Sequence, residues 1–169
     1  MKILFRADDL GFSEAVNYGI VKSIVEGPIR NVGLMPNMEA AAHGYAVVKD
    51  FDICLGQHSN ISVGIPLSNP NLIPSLINEK GEFCSSKEIH AREKDTIDIK
   101  ECEIELEAQL KRFVEITGKK PDYFEGHAVF SHNFFIALEN VARRNKLFYS
   151  NSLDPKWADR YNMTMGQRV

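Results

Sequence analysis

The sequence predicts an α/β fold with a parallel sheet, and two observations carry that expectation. Short apolar runs alternate with stretches of helical periodicity along the first third of the chain, in the order β-α-β-α-β. That order implies parallel strands joined by right-handed crossovers. The residues best suited to chemistry then gather where apolar runs end: Asp8-Asp9, His58 and His127. Parallel sheets place ligand-binding and catalytic groups at that edge, so residues distant in sequence can share one rim.

Taken in order, Ile3-Leu4-Phe5 reads as a first strand, and Arg6-Ala7-Asp8-Asp9-Leu10-Gly11-Phe12-Ser13 as the turn that follows it. Ser13 is a candidate N-cap for a helix over 14–26, with Glu14 in its first turn, where negative charge suits the helix dipole. Val16, Ile20 and Ile24 form its apolar stripe, and Gly27-Pro28 ends it. Asn31 to Met35 is a second strand, Glu39 to Lys49 an alanine-rich helix, and Phe51 to Leu55 a third strand leading into Gly56-Gln57-His58. From 59 to 98 the pattern dissolves into an irregular insertion carrying Pro66, Pro70 and Pro74, either a functional loop or a mobile surface excursion. Asn78 to Gly81 reads as a turn within it.

Order returns with a helix from Ile99 to Thr117, striped by Cys102, Leu106, Leu110 and Phe113 and stopped by Gly118. Asp122-Tyr123-Phe124 is a fourth strand, with Glu125-Gly126-His127 at its end. Ser131 or His132 caps a further helix whose core face is Phe134, Leu138 and Val141, and Leu147-Phe148-Tyr149 is a short fifth strand. At 169 residues this is one domain, spanning 1–169.

A net charge of −3 gives no electrostatic footprint for nucleic acid or an anionic membrane, and no apolar run approaches a membrane span. The N-terminal apolar run is too short for a signal peptide, and the three cysteines share no zinc-type spacing. A cytoplasmic protein with reduced thiols is expected.

Adjacent carboxylates repel unless a cation or hydrogen-bond donors offset them, although Asp8-Asp9 also fits a plain capping turn. One carboxylate with two imidazoles suits Zn²⁺ or a similar divalent ion, and the second carboxylate is then free to act as a general base. The same histidines also fit ordinary loop positions. His132 is held as a helix cap or supporting group, while His43 and His90 read as solvated and Cys54 as core.

Ala-Asp-Asp-Leu-Gly-Phe-Ser at 7–13, followed by Val16-Asn17-Tyr18-Gly19-Ile20, resembles the opening signature of the YdjC-like carbohydrate deacetylase family, which includes the chitooligosaccharide deacetylases. Gly56-Gln57-His58-Ser59-Asn60-Ile61, with Gly64 and Pro66, looks like its second motif, and Glu125-Gly126-His127 like the start of its third. The resemblance implies a (β/α) barrel of the polysaccharide-deacetylase type. It implies Asp8 as the general base and Asp9, His58 and His127 as ligands of one divalent metal ion, Mg²⁺ or Zn²⁺. It further implies a sugar cleft helped by Asn60, Pro66 and His132, and removal of N-acetyl groups from short GlcNAc-containing oligosaccharides.

Three departures stand beside it. Arg6 replaces a small polar residue before the Asp pair, and the later histidines of the third motif are lost or displaced in His127-Ala-Val-Phe-Ser-His132. The third is that the five strands counted leave the barrel incomplete at the C-terminus, without the family's C-terminal Glu and His-Pro segment. Open edges of that kind predict a homo-oligomer. A non-catalytic metal- or sugar-binding remnant and a metal-dependent phosphoesterase are the alternative readings.

Overall fold

The computed structural model describes residues 4–150. Within them lie strands β1 (Arg6–Leu10), β2 (Asn31–Leu34), β3 (Cys54–Ser59) and β4 (Phe124–Gly126). The helices are α1 (Glu14–Glu26), α2 (Ala41–Val48), α3 (Ser86–His90), α4 (Ile99–Thr117) and α5 (His132–Asn145). The strands form one parallel sheet in the order β1-β2-β3-β4. The expected fifth strand is present as a single parallel bridge from Tyr149 to Phe124. Phe124 N–H donates to the Phe148 carbonyl at 2.8 Å, and Ser150 N–H to the Phe124 carbonyl at 2.9 Å.

Strand order follows chain order, and the sheet curls. Laid flat, β1 and β4 would stand about 14 Å apart at roughly 4.8 Å per strand. Yet Asp9 in β1 and His127, one residue past β4, approach to 3.1 Å. Alternation along the strands explains what the curl encloses. Ala7, Leu10, Val32, Leu34 and Leu55 face the helices and pack with Ile20, Ile24, Val48 and Phe113. Arg6, Asp8, His58, Tyr123 and Glu125 lie on the opposite, inner face, which is polar.

That polar face is why three strands begin later than the apolar runs suggest, β4 among them, which starts at Phe124 where Asp122 is expected. β1 starts at Arg6, beyond the expected Ile3-Leu4-Phe5; Leu4 and Phe5 are exposed, and Ile3 lies outside the described residues. β3 runs from Cys54 to Ser59, because Phe51 belongs to the turn after α2, where its N–H bonds the Val48 carbonyl at 3.1 Å. Asp8, Asp9 and His58 therefore sit inside strands, where a polar lining hides the strand pattern.

The helices agree closely with the sequence. Ser13 accepts from Val16 N–H at the start of α1, Ser131 from Phe134 N–H at the start of α5, and Asp98 from two amides of α4. Gly118 ends α4 at φ +72°, a left-handed conformation that glycine adopts without steric cost.

The insertion is a wall of the core. Ile61, Ile73, Leu76, Phe83 and Ile97 are buried against Leu106, Phe124, Phe134 and Leu138. At about 2 kcal/mol per buried apolar side chain, those five contribute on the order of 10 kcal/mol, as much as a domain's whole net stability. A mobile surface excursion is thereby ruled out. The predicted turn at Asn78–Gly81 is present and closes an antiparallel bridge between Ile77 and Phe83.

Candidate metal centre

β1 carries an irregularity at its functional end. Strict alternation would send Asp9 toward the helices, but the β1–β2 register shifts between Ala7 and Leu10 and Asp9 takes φ +68°. A bulge with one residue in the left-handed region, which Asp tolerates better than most, turns both carboxylates to the inner face. The following turn is pinned by buried Asn17. Its Oδ1 accepts Gly11 N–H at 2.7 Å and its Nδ2 donates to the Ala40 carbonyl at 3.1 Å. His43 is half-buried against the same amide, 3.0 Å from Asn17 Nδ2, so it is a packing partner of Asn17 and not a solvated residue.

Three ligand-type atoms meet above β1, β3 and β4. Asp9 Oδ1 lies 3.2 Å from His58 Nε2 and 3.1 Å from His127 Nδ1, and the two ring nitrogens are 2.9 Å apart. Asp9 Oδ1 is itself buried and accepts no well-directed hydrogen bond. Two imidazole nitrogens, within hydrogen-bond reach of each other, converging on a buried carboxylate oxygen that no directed donor satisfies fit a divalent cation held between them. Asp9 keeps 42% of its side chain exposed, so the far side of such an ion would stay open to water and substrate.

Charge around the cluster is arranged by Arg6 and Glu125. Glu125 bonds His58 Nδ1, which turns Nε2 toward Asp9 and His127, the orienting role that carboxylates play behind metal-binding imidazoles. Arg6 grips Asp8 through both oxygens, Nε to Oδ1 at 2.6 Å and Nη2 to Oδ2 at 2.8 Å. It also reaches Glu125 at 3.0 Å. Burial opposes a charged His58, but Glu125, Asp9 and Asp8 outweigh it and push its pKa up to about 10. The adjacent His127 and His58 rings hold the Asp9 carboxyl well below the usual carboxylate range, against the effect of burial. A second trio, Asp8, His58 and Glu125, also lies close together. It is the poorer cation site, since Arg6 already neutralises two of its members.

Gly33 makes room for all of this. A Cβ there would stand 2.9 Å from Asp8 Oδ1, 3.0 Å from the His58 Cβ and 3.4 Å from Glu125 Oε1. Neither Gly33 nor the part played by Glu125 is foreseen from composition or spacing, because both depend on which strand lies beside which.

The remaining sequence candidates sit apart from the trio. Asn60 is fully buried and saturated: Nδ2 donates to Asn37 Oδ1 and the Val63 carbonyl, and Oδ1 accepts from Ser62 and Val63 amides. It shapes the loop after β3 from within. Pro66 is buried in that loop. His132 is exposed at the first residue of α5 and belongs to neither cluster. His90, on α3, is exposed as expected, and its Nε2 also accepts the Phe130 amide at 2.9 Å.

Comparison with known proteins decides the family. The YdjC-like protein profile matches residues 2–167. The chain belongs to the YdjC-like family. Relatives within it include a carbohydrate deacetylase of Geobacillus stearothermophilus, 38% identical over 149 residues that cover 85% of this chain and 57% of that protein. A carbohydrate deacetylase of Danio rerio is 33% identical, covering 75% and 41% respectively. A chitooligosaccharide deacetylase of Serratia marcescens is 31% identical, covering 74% and 48%. The chain spans about half the length of these YdjC-like relatives. The same fold occurs in a crystal structure from Enterococcus faecalis V583, provisionally named for cellobiose-phosphate cleavage, with a TM-score of 0.81 at 21% identity over 94% of this chain and 62% of that one.

Proposed function

We propose that this chain carries the metal-holding and proton-accepting part of a carbohydrate N-deacetylase centre, set in a (β/α) barrel of the polysaccharide-deacetylase type. The observation that carries the reading is the convergence of Asp9 Oδ1, His58 Nε2 and His127 Nδ1 within 3.2 Å of one another. These three residues would hold one divalent ion, Mg²⁺ or Zn²⁺. Such an ion supplies a Lewis acid that polarises an acyl oxygen and makes water more acidic. The relatives' names support an N-acetylated oligosaccharide as the substrate class.

The chain's own residues divide the remaining work. Asp8 accepts the proton from the attacking water, with its carboxylate aimed by the Arg6 fork. Glu125 fixes the His58 ring so that Nε2 faces the ion position. Asn60 and Pro66 would hold the loop after β3 in the shape that borders the sugar cleft, and His132 would contribute to it from the start of α5.

The test is acetate release from N-acetylated chitooligosaccharides with Mg²⁺ or Zn²⁺ added, beside Asp8→Asn. Acetate production that Asp8→Asn abolishes while metal binding persists is the expected result. A folded chain that binds no divalent ion overturns the reading, and phosphate release from a sugar phosphate in place of acetate would favour a phosphoesterase.

A further inference from the structure

Three residues beyond His127 the chain does something unusual for an apolar segment. Ala128 takes φ +48°, Val129 is driven fully into the core, and Phe130 is left 61% exposed. Phe130 is nonetheless held firmly. Its amide donates to His90 Nε2 at 2.9 Å, and its ring meets Phe135 edge-on with centroids 5.5 Å apart. Beside it opens a depression of about 440 Å³ between the insertion and the start of α5. That size lies within the range of small-ligand sites, roughly 300–1,000 Å³.

The two walls are tied together before any ligand arrives. Asp95 Oδ2 accepts from Ser131 Oγ at 2.8 Å and from Asn133 N–H at 3.0 Å, which with the His90–Phe130 bond clamps the insertion onto α5. The lining offers one exposed aromatic face, the imidazole of His132, and charges that balance, Arg92 and Lys94 against Glu93 and Asp95. Balanced charge gives no net pull on a phosphate. An aromatic face flanked by donors and acceptors matches a neutral ring with an apolar C–H face and a hydroxyl rim. Three residues of chain reach at most about 11 Å, which bounds the separation between Phe130 and His127.

Resting on the deacetylase reading for the reacting unit, we propose that this depression is a second sugar subsite. It stacks a pyranose ring of the oligosaccharide on Phe130 and hydrogen-bonds its hydroxyls through His132. Longer oligosaccharides would then be preferred over a single sugar, a preference that the metal trio alone does not provide.

The experiment is a titration of the chain with N-acetylglucosamine and its dimer and trimer, read by amide chemical-shift changes and by calorimetry. The proposal expects the trimer to move the amides of Thr96, Phe130 and Ser131. It expects Phe130→Ala to weaken the trimer about tenfold with the monomer unaffected, and Phe130→Trp to restore binding. His132→Ala should weaken the trimer less. Trimer shifts confined to the surroundings of Asp9 and His58, or equal trimer affinity in Phe130→Ala with an unchanged spectrum, overturn it. Binding is read without turnover, so a failure to release acetate would count against the deacetylase reading and leave this outcome separately legible.

Discussion

Two polar clusters, one buried and one half-buried, lie a few residues apart in this fold, and they are built on opposite terms. After β3, Asn60 is bonded at every polar position. Its amide and carbonyl are met by Gln109 Oε1 at 3.0 Å and Gln109 Nε2 at 2.6 Å, and its side chain by Asn37 and the loop backbone. Glu105, fully buried on α4, accepts from Leu67 and Ser68 amides and from Gln109. One turn of strand earlier, Asp9, His58 and His127 crowd within 3.2 Å with Asp9 Oδ1 left without a directed donor. A satisfied network rigidifies what it touches, while an unsatisfied one is costly until a further species completes it. The first cluster holds a loop and the second is shaped for a cation.

The comparison breaks most visibly at the histidines. His58→Ala or His127→Ala should remove divalent-ion binding from the folded chain, measured by calorimetry and elemental analysis. Metal at one hundred times its Kd should raise the parent's stability by about 2.7 kcal/mol and leave either variant unmoved. Gly33→Ala comes next. Its backbone conformation suits alanine, so the only obstacle is the added Cβ between Asp8 Oδ1 and His58. Metal affinity should fall about 10–100-fold, as it does when outer-shell support of a ligand is disturbed, while thermal stability changes much less. A stability loss without a change in affinity would show that the trio does not depend on that space.

The satisfied cluster should respond the other way round. Gln109→Ala strands the Asn60 amide and carbonyl inside the core, each penalised by about 1–3 kcal/mol. Chemical denaturation should show a fall of a few kcal/mol, with metal affinity in the surviving folded fraction close to that of the parent.

Helices and turns were legible because their signals are local. Ser13, Gly118 and Ser131 mark helix ends in the structure where the sequence placed them. Strand limits were not, because β1 and β3 carry the site and so replace apolar alternation with Arg6, Asp8, Gln57 and His58. The trio itself was readable as three strand-end motifs. Its supports were hidden for a geometric reason: Gly33 and Glu125 matter through neighbours on other strands, and no spacing along the chain records that. The insertion misled for a similar reason, since Ile61, Ile73 and Leu76 show no period yet close the core.

The smallest effect belongs to a cluster between the two extremes. Glu103 is buried on α4 with both oxygens partnered, by Asn140 at 2.8 Å and by Arg144 at 2.7 Å and Lys100 at 3.2 Å. Arg144, however, is half exposed. Burial raises the Glu103 pKa, but the hydrogen bonds from Arg144, Asn140 and Lys100 outweigh it and leave the carboxyl below its ordinary value. A group whose folded pKa is depressed contributes stability that is fully present above the unfolded value, near 4.3 for Glu, and is lost as pH falls through the folded value. Solvent screening limits the pair, so Arg144→Ala should cost only about 0.5–1 kcal/mol at neutral pH. The gap between parent and variant should narrow as pH falls below about 4.3, because protonated Glu103 no longer gains from the guanidinium. A gap that stayed constant to pH 3 would mean that Arg144 acts through the packing of its stem on α4 and not through charge, leaving this cluster on the satisfied side of the comparison for reasons of shape.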